Sequence, residues 1–120
     1  MQFVEFISQL HDSKQQSIVW HHQTTSYSEH KALNNYYDEI LELIDELVES
    51  VSGVYGRPVG YSVETLQNYK GHEHLVKYYK SLYDFIQRER KTIYQESWIQ
   101  NQVDEIAQLV AQTSYLLTLS

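Results

Sequence analysis

Two carboxylates and one histidine in a single helix-forming stretch have residue types and spacing suited to binding a metal ion. Asp45 and Glu49 lie four residues apart, so on a helix they share a face. Carboxylates in this arrangement can chelate one cation or flank two. His30 precedes Asp45 by 15 residues, which places it about 60° around the helix and about 22 Å away along the axis. One copy of the helix therefore cannot bring His30 and Asp45 to the same ion.

Two copies of this helix overcome the separation if they pack antiparallel about a twofold axis. The histidine end of one copy then faces the carboxylate end of the other. His21, at the end of the preceding predicted helix, is separated from His30 only by a turn and can join the same cluster. Two imidazoles from one subunit and two carboxylates from its partner form a ligand set suited to Fe²⁺. The spacing therefore predicts a homo-oligomer that contains at least a twofold dimer.

Composition limits the classes of function. The chain has 120 residues, a formal charge of −7 and no cysteine, so we expect one domain over residues 1–120 without disulfides or thiolate zinc sites. The acidic balance disfavours nucleic-acid binding and is compatible with attracting cations. No segment has the roughly 20 apolar residues of a membrane span, and no signal peptide is visible. We expect a cytoplasmic protein that does not contact a membrane.

Hydrophobic periodicity predicts four helices, over residues 2–22, 28–55, 72–94 and 97–117. Ser28 is expected to cap the second helix. The connection over residues 59–71 is long, and residues 62–69 are expected to form a short extra helix within it. Four helices of about 20 residues with one long crossover between the second and third are typical of a ferritin-like four-helix bundle.

Other histidine patterns point away from metal chemistry. No Glu is followed three residues later by His, so the intrasubunit di-iron site of larger ferritins is not expected. His11 falls on the flank of the first predicted helix and should be partly exposed. His72 and His74 open the third helix, where alternate residues diverge rather than share a face.

The stretch over residues 20–58 reads WHHQTTSYSEHKALNNYYDEILELIDELVESVSGVYGRP. It resembles Dps, the family of DNA-protection proteins of starved cells. In that family a His-Trp pair ends the first helix and a second His opens the next. An Asp follows about 15 residues later, then a Glu four further on, then a Gly-rich helix end. His30, Asp45 and Glu49 match the last His, the Asp and the Glu. The stretch NQVDEIAQLVAQTSYLL is similar to the C-terminal helix of Dps, and a short helix in the long connection is also Dps-like.

This resemblance implies a ferroxidase-type site at a dimer interface. In Dps such a site oxidises Fe²⁺ with peroxide or oxygen and feeds a mineral core inside a twelve-subunit shell. Carried over, His21, His30, Asp45 and Glu49 would be ligands of iron, which zinc or another divalent metal can replace. The first His of the family precedes the second by about 12 residues, whereas His21 precedes His30 by nine. His22 is therefore the alternative to His21.

A second hypothesis is a non-catalytic structural or interaction module that keeps the bundle and the dimer but not turnover. Asn34 stands where the family often has an Asp one turn after the second His. An amide is a poorer iron ligand than a carboxylate. We expect no counterpart of the Lys-rich N-terminal extension with which many Dps proteins bind DNA, which agrees with the expectation against nucleic-acid binding.

Overall fold

The computed structural model describes residues 1–119, and within these residues the chain is all-helical, with no strand. The elements are α1 (Phe3–Gln23), α2 (Tyr27–Tyr55), α3 (His72–Glu89) and α4 (Ser97–Leu117), with a short 3₁₀ turn over Arg90–Thr92 after α3. The predicted all-α class is confirmed. No helix among the described residues is long and apolar enough to cross a membrane.

The start of α2 differs from the prediction. Its N-cap is Ser26, whose Oγ accepts from the backbone N–H of Glu29 at 3.3 Å. Ser28 lies inside the first turn, so the predicted cap at Ser28 was wrong by two residues. Ser26 is followed three residues later by Glu29, the spacing typical of a helix start, whereas Ser28 is followed by Lys31.

The helices run in an up-down-down-up order. A short turn joins α1 to α2, which pack side by side as an antiparallel pair. Phe6 near the start of α1 stacks on Phe85 near the end of α3 at 5.7 Å, so these helices are also antiparallel. Tyr55 at the end of α2 donates a hydrogen bond to Glu96, which immediately precedes α4. Consequently α1 and α4 point one way, and α2 and α3 point the other.

Aliphatic and aromatic side chains from all four helices fill the core. Two buried tyrosines at its centre need partners for their hydroxyls. Tyr36 of α2 meets Ser13 of α1 at 2.7 Å, and Tyr79 of α3 meets Ser17 of α1 at 2.5 Å. Burial raises the pKa of both phenols far above its usual value. Two neutral hydroxyl pairs therefore lie within this core.

The crossover, defined as residues 56–71, contains no helix. It runs along α1 in the same direction as α1, and its backbone is held by α1 side chains. Four backbone amides of the crossover donate to them: Ser62 to Ser8, Glu64 to Asp12, Gln67 to Gln16 and Tyr69 to Gln23. Gln16 also returns a hydrogen bond from its Nε2 to the carbonyl of Gln67 at 2.8 Å.

The short extra helix predicted over residues 62–69 is therefore wrong, and the spacing of these bonds gives the reason. An extended chain rises about 3.3 Å per residue, so residues 62–69 span about 23 Å. The α1 residues from Ser8 to Gln23 rise about 1.5 Å each and span nearly the same length. A helix over residues 62–69 would be less than half as long and would take these amides away from their α1 partners.

Candidate metal-binding site

His21 and His30 form a closed pair across the turn between α1 and α2. The Nδ1 of His21 lies 2.8 Å from the carbonyl oxygen of His30, and the Nδ1 of His30 lies 2.9 Å from the carbonyl oxygen of His21. The two rings stack with centroids 3.7 Å apart and planes 18° apart. Tyr37 packs edge-on against the ring of His21 at 5.2 Å. The structure thus brings these two predicted ligands together within one chain.

These bonds fix the tautomer of both rings. A carbonyl oxygen only accepts hydrogen bonds, so each Nδ1 must carry a proton. In the neutral ring the lone pair then resides on Nε2. A backbone carbonyl that accepts from one ring nitrogen is the usual outer support of a metal-bound histidine. In their neutral forms, His21 and His30 therefore each carry an unprotonated Nε2.

Asp45 and Glu49 lie on the exposed surface of α2. Neither carboxylate takes part in a hydrogen bond or salt bridge within residues 1–119. Their four-residue spacing on a continuous helix gives them a common side, as predicted. Both are thus free to accept a cation or a hydrogen-bond donor.

The histidines and the carboxylates do not meet within one chain. His30 is near the start of α2 and Asp45 is about 22 Å further along it, at about 1.5 Å per residue. In the part of the chain that the structure describes, no three His, Asp or Glu side chains form a group able to hold a metal ion. The donor types fit iron, since two imidazoles and two carboxylates are borderline and hard ligands, but completing the set requires a second chain.

A groove of about 740 Å³ lies between α1, α2 and the crossover. Ile44 and Val48 of α2 contribute apolar surface, and His11 of α1 and Asp45 of α2 contribute polar groups. Burial, and then the charge of Lys14, lower the pKa of His11, although Asp45 acts in the opposite direction. The lowered pKa of His11 favours its neutral ring, which has a lone pair on one nitrogen.

Asp12 lines the same groove from α1. Its Oδ1 accepts from the backbone of Glu64, whereas its buried Oδ2 has no hydrogen-bond partner among the described residues. Burial raises the pKa of this carboxyl. Sequence reasoning found neither Asp12 nor the placement of His11 and Asp45 in one groove. Both depend on how α1, α2 and the crossover are placed, which no spacing along the chain reveals.

Glu29 is the most enclosed carboxylate of this end of the bundle, with 1% of its surface exposed. Its Oε1 accepts from Thr24 and from Tyr69, each at 2.6 Å, and its Oε2 accepts from the Nδ1 of His72 at 2.5 Å. Desolvation raises the pKa of Glu29, but the hydrogen bonds from Thr24, Tyr69 and His72 outweigh it, so the net pKa is lowered. Glu29 fastens the turn before α2 and the end of the crossover to the start of α3.

The remaining histidines lie apart from one another. His22 is exposed, with its ring 5.4 Å from that of His21, and it takes no part in the paired hydrogen bonds. This favours His21 over His22 as the partner of His30. His72 bonds to Glu29, whereas His74 packs edge-on against Trp20 at 5.6 Å. The divergence expected of His72 and His74 is confirmed.

The position of Asn34 also bears on the site. Its Nδ2 donates to Asp38 at 2.9 Å, and its Oδ1 accepts from the hydroxyl of Tyr37 at 3.1 Å. Both polar atoms of the amide are therefore engaged on α2 itself. Asn34 supports Tyr37, which in turn packs against His21.

Comparison with known proteins identifies a family and no activity. No curated protein and no solved structure matches the chain. The profile of one family matches residues 21–117, from His21 to the end of α4. This match covers most of the chain, and the protein therefore belongs to the family of unknown function designated DUF5856.

Proposed function

We propose that two copies of this chain bind Fe²⁺ between them and promote its oxidation, in the manner of Dps. In each site His21 and His30 of one subunit would act together with Asp45 and Glu49 of the other. The observation that carries the proposal is the reciprocal hydrogen bonding of His21 and His30. It protonates both Nδ1 atoms and leaves both Nε2 atoms free for a cation.

The distribution of charge along α2 supports an antiparallel pair. Its only Lys or Arg is Lys31, near its start. The later half, residues 42–55, carries four acidic residues with no basic one among them: Glu42, Asp45, Glu46 and Glu49. In a parallel pair the acidic halves would repel each other, whereas in an antiparallel pair each acidic half meets the end bearing Lys31 and His30.

The carboxylates and the imidazoles have separate roles in the proposed site. The carboxylates of Asp45 and Glu49 supply negative charge that compensates the cation, and the imidazoles of His21 and His30 supply fixed nitrogen donors. Iron supplies the electron that the oxidant, oxygen or peroxide, takes up. The acidic surface of the protein, with its charge of −7, raises the local concentration of cations.

The proposal includes the wider properties that the resemblance implies. These are a ferritin-like bundle, a cytoplasmic location, and assembly from the twofold dimer towards a shell of about twelve subunits that stores oxidised iron. The up-down-down-up order with one long connection is consistent with this fold class. Nucleic-acid binding is not part of the proposal, because the charge of the chain opposes it.

Mixing two defective variants tests whether the site is shared between subunits. His30→Ala and Asp45→Ala each destroy both sites of a homodimer. In a mixed dimer, His30 of the second variant and Asp45 of the first form one intact site. Anaerobic Fe²⁺ titration should therefore show no tight binding for either variant alone. An equal mixture should recover about a quarter of the wild-type sites, since half of the dimers are mixed and each restores one of two sites.

Addition of oxygen or peroxide to the same samples tests the oxidation step. The ferric absorbance should appear with wild type and, to about a quarter, with the mixture. Binding by either variant alone at wild-type level would refute the ligand assignment. Recovery of no sites by a mixture shown to exchange subunits would refute the intersubunit site.

The alternative is a structural or interaction module, and the crossover favours it. Residues 62–69 are extended rather than forming the short helix of Dps, so this surface differs from that of the family it resembles. On this hypothesis the His21–His30 pair serves only to fasten the turn between α1 and α2. A wild-type dimer that is stable but binds no Fe²⁺ would support this alternative.

A further inference from the structure

His11 lies beside one of the proposed carboxylate ligands. It projects from α1 into the groove that Asp45 lines from α2. The ring of Tyr61, on the crossover, packs edge-on against the ring of His11 with centroids 5.8 Å apart. The side chain is half-buried, and neither ring nitrogen has a hydrogen-bond partner within residues 1–119. His11 is therefore an oriented imidazole with free nitrogen atoms.

In the proposed dimer, His30 of the second subunit would reach the same groove. Val48 follows His30 by 18 residues, which at about 100° per residue is five full turns, so the two share one stripe of α2. In an antiparallel twofold pair, residues on one stripe of a helix meet the same stripe of its partner. The proposed pairing of His30 with Asp45 and Glu49 sets the register of the two helices, and it would place His30 of one subunit opposite the turn of the other that carries Val48, which lines the groove.

We propose that His11 is a further ligand of the intersubunit site, which would then have imidazole donors from both subunits. The inference rests on the proposed function, because the second subunit and the cation both belong to it. Asp45 and His11 approach the groove from different helices, so they can bind one ion from two directions. The additional nitrogen would favour Fe²⁺ or Zn²⁺ over Mg²⁺ and Ca²⁺, which prefer oxygen ligands.

The substitution His11→Gln removes the imidazole and keeps a polar side chain of similar length. The matched control is His74→Gln, which changes a half-buried histidine of α3 that packs on Trp20 instead. Anaerobic Fe²⁺ titration should show at least a tenfold weaker affinity for His11→Gln and an unchanged affinity for His74→Gln. With Co²⁺ as a spectroscopic probe, the visible absorption of the bound ion should change in His11→Gln only. Competition by Mg²⁺ should become stronger in the same variant.

The outcomes separate this inference from the proposal on which it rests. If His11→Gln binds Fe²⁺ and Co²⁺ as wild type does while His30→Ala binds neither, the inference is overturned and the shared site stands. If wild type itself binds no Fe²⁺, both are overturned. Should His11→Gln fail to fold, wild-type protein gives the answer by NMR. Co²⁺ should then shift the ring signals of His11 together with those of His30, and unshifted His11 signals would refute the inference.

Discussion

The Nδ1 of His21 donates to the backbone carbonyl of His30, and the Nδ1 of His30 donates to the carbonyl of His21. Each histidine thereby satisfies a backbone acceptor of the other at the junction of α1 and α2. Both Nδ1 atoms of the pair are engaged in hydrogen bonds, whereas both Nε2 atoms remain available. This one relationship links the stability of the turn to the availability of two Nε2 lone pairs, which the proposed function assigns to a metal ion.

The tautomer of these rings can be measured directly. We expect long-range ¹H–¹⁵N spectra of the metal-free protein at pH 8 to show both His21 and His30 protonated on Nδ1, since each bonds a carbonyl through that atom. Exposed His22 has no such bond and serves as the internal comparison. Protonation of either paired ring on Nε2 would contradict the geometry.

Replacing Glu29 should change stability in a pH-dependent way. Its folded pKa lies below the ordinary value of 4.5, so its ionised form stabilises the fold above that value, and this contribution is lost as pH falls through the lowered folded pKa. Glu29→Gln should cost about 1–3 kcal/mol at pH 7, because three donors lose their ionised acceptor. Urea unfolding at a series of pH values from 7 downwards should show this difference at pH 7 and a decreasing difference as the pH falls below 4.5.

The control for Glu29 is Glu39→Gln, on the exposed side of the same helix. It should leave the free energy of unfolding within about 0.5 kcal/mol of wild type. Equal destabilisation by both substitutions would show that the loss comes from charge on α2 in general and not from the contacts with Thr24, Tyr69 and His72.

Gln16 should hold the crossover in place. Its side-chain amide bonds both the N–H and the carbonyl of Gln67, each at 2.8 Å. Gln16→Ala removes both bonds and should destabilise the protein by about 1–3 kcal/mol. Hydrogen exchange of the Gln67 amide should accelerate in this variant. Gln15→Ala, at the neighbouring exposed position, should change neither quantity, and unaltered exchange in Gln16→Ala would contradict the assigned contact.

Reversing the charge of Lys31 should weaken self-association. The proposed antiparallel pair would place this residue against the acidic half of the partner's α2, and Lys31→Glu would add repulsion twice per dimer. We expect the dissociation constant to rise about tenfold at low salt and less at high salt. Sedimentation analysis measures the dissociation constant, and Lys77→Glu, at an exposed position of α3, is the control. Equal effects of the two substitutions would argue against this interface.

Local sequence rules predicted most of the helical layout. Apolar periodicity indicated four helices, and the glycines after Val51 indicated where α2 ends. The rules erred where contacts between distant segments decide the outcome. Residues 62–69 have a helix-like start at Ser62, yet side chains of α1 more than 40 residues earlier take their backbone amides. Local helix propensity does not reveal that side chains of another helix compete for these backbone amides.

The candidate site was likewise predictable from the sequence only in part. The spacing from His30 to Glu49 follows from the sequence, and it also shows why one helix cannot complete the site. The stacking of His21 on His30 requires the path of the turn over residues 24–26, and the proximity of His11 to Asp45 requires the register of α1 against α2. These are properties of the folded chain and not of any one segment.

The match in length between the crossover and α1 has a consequence for which changes the chain can accommodate. Residues 62–69 lie against α1, and because the two segments span nearly the same length, four crossover amides are in register with their α1 partners. One residue added within 62–69 would move every later amide of this segment out of register with its α1 partner. The structure gives the backbone of residues 57–60 no such bond to α1. One residue added there would lengthen the loop without breaking a hydrogen bond to α1. Natural insertions and engineered tags should therefore be found or accepted just after α2, within residues 57–60, and not within residues 62–69.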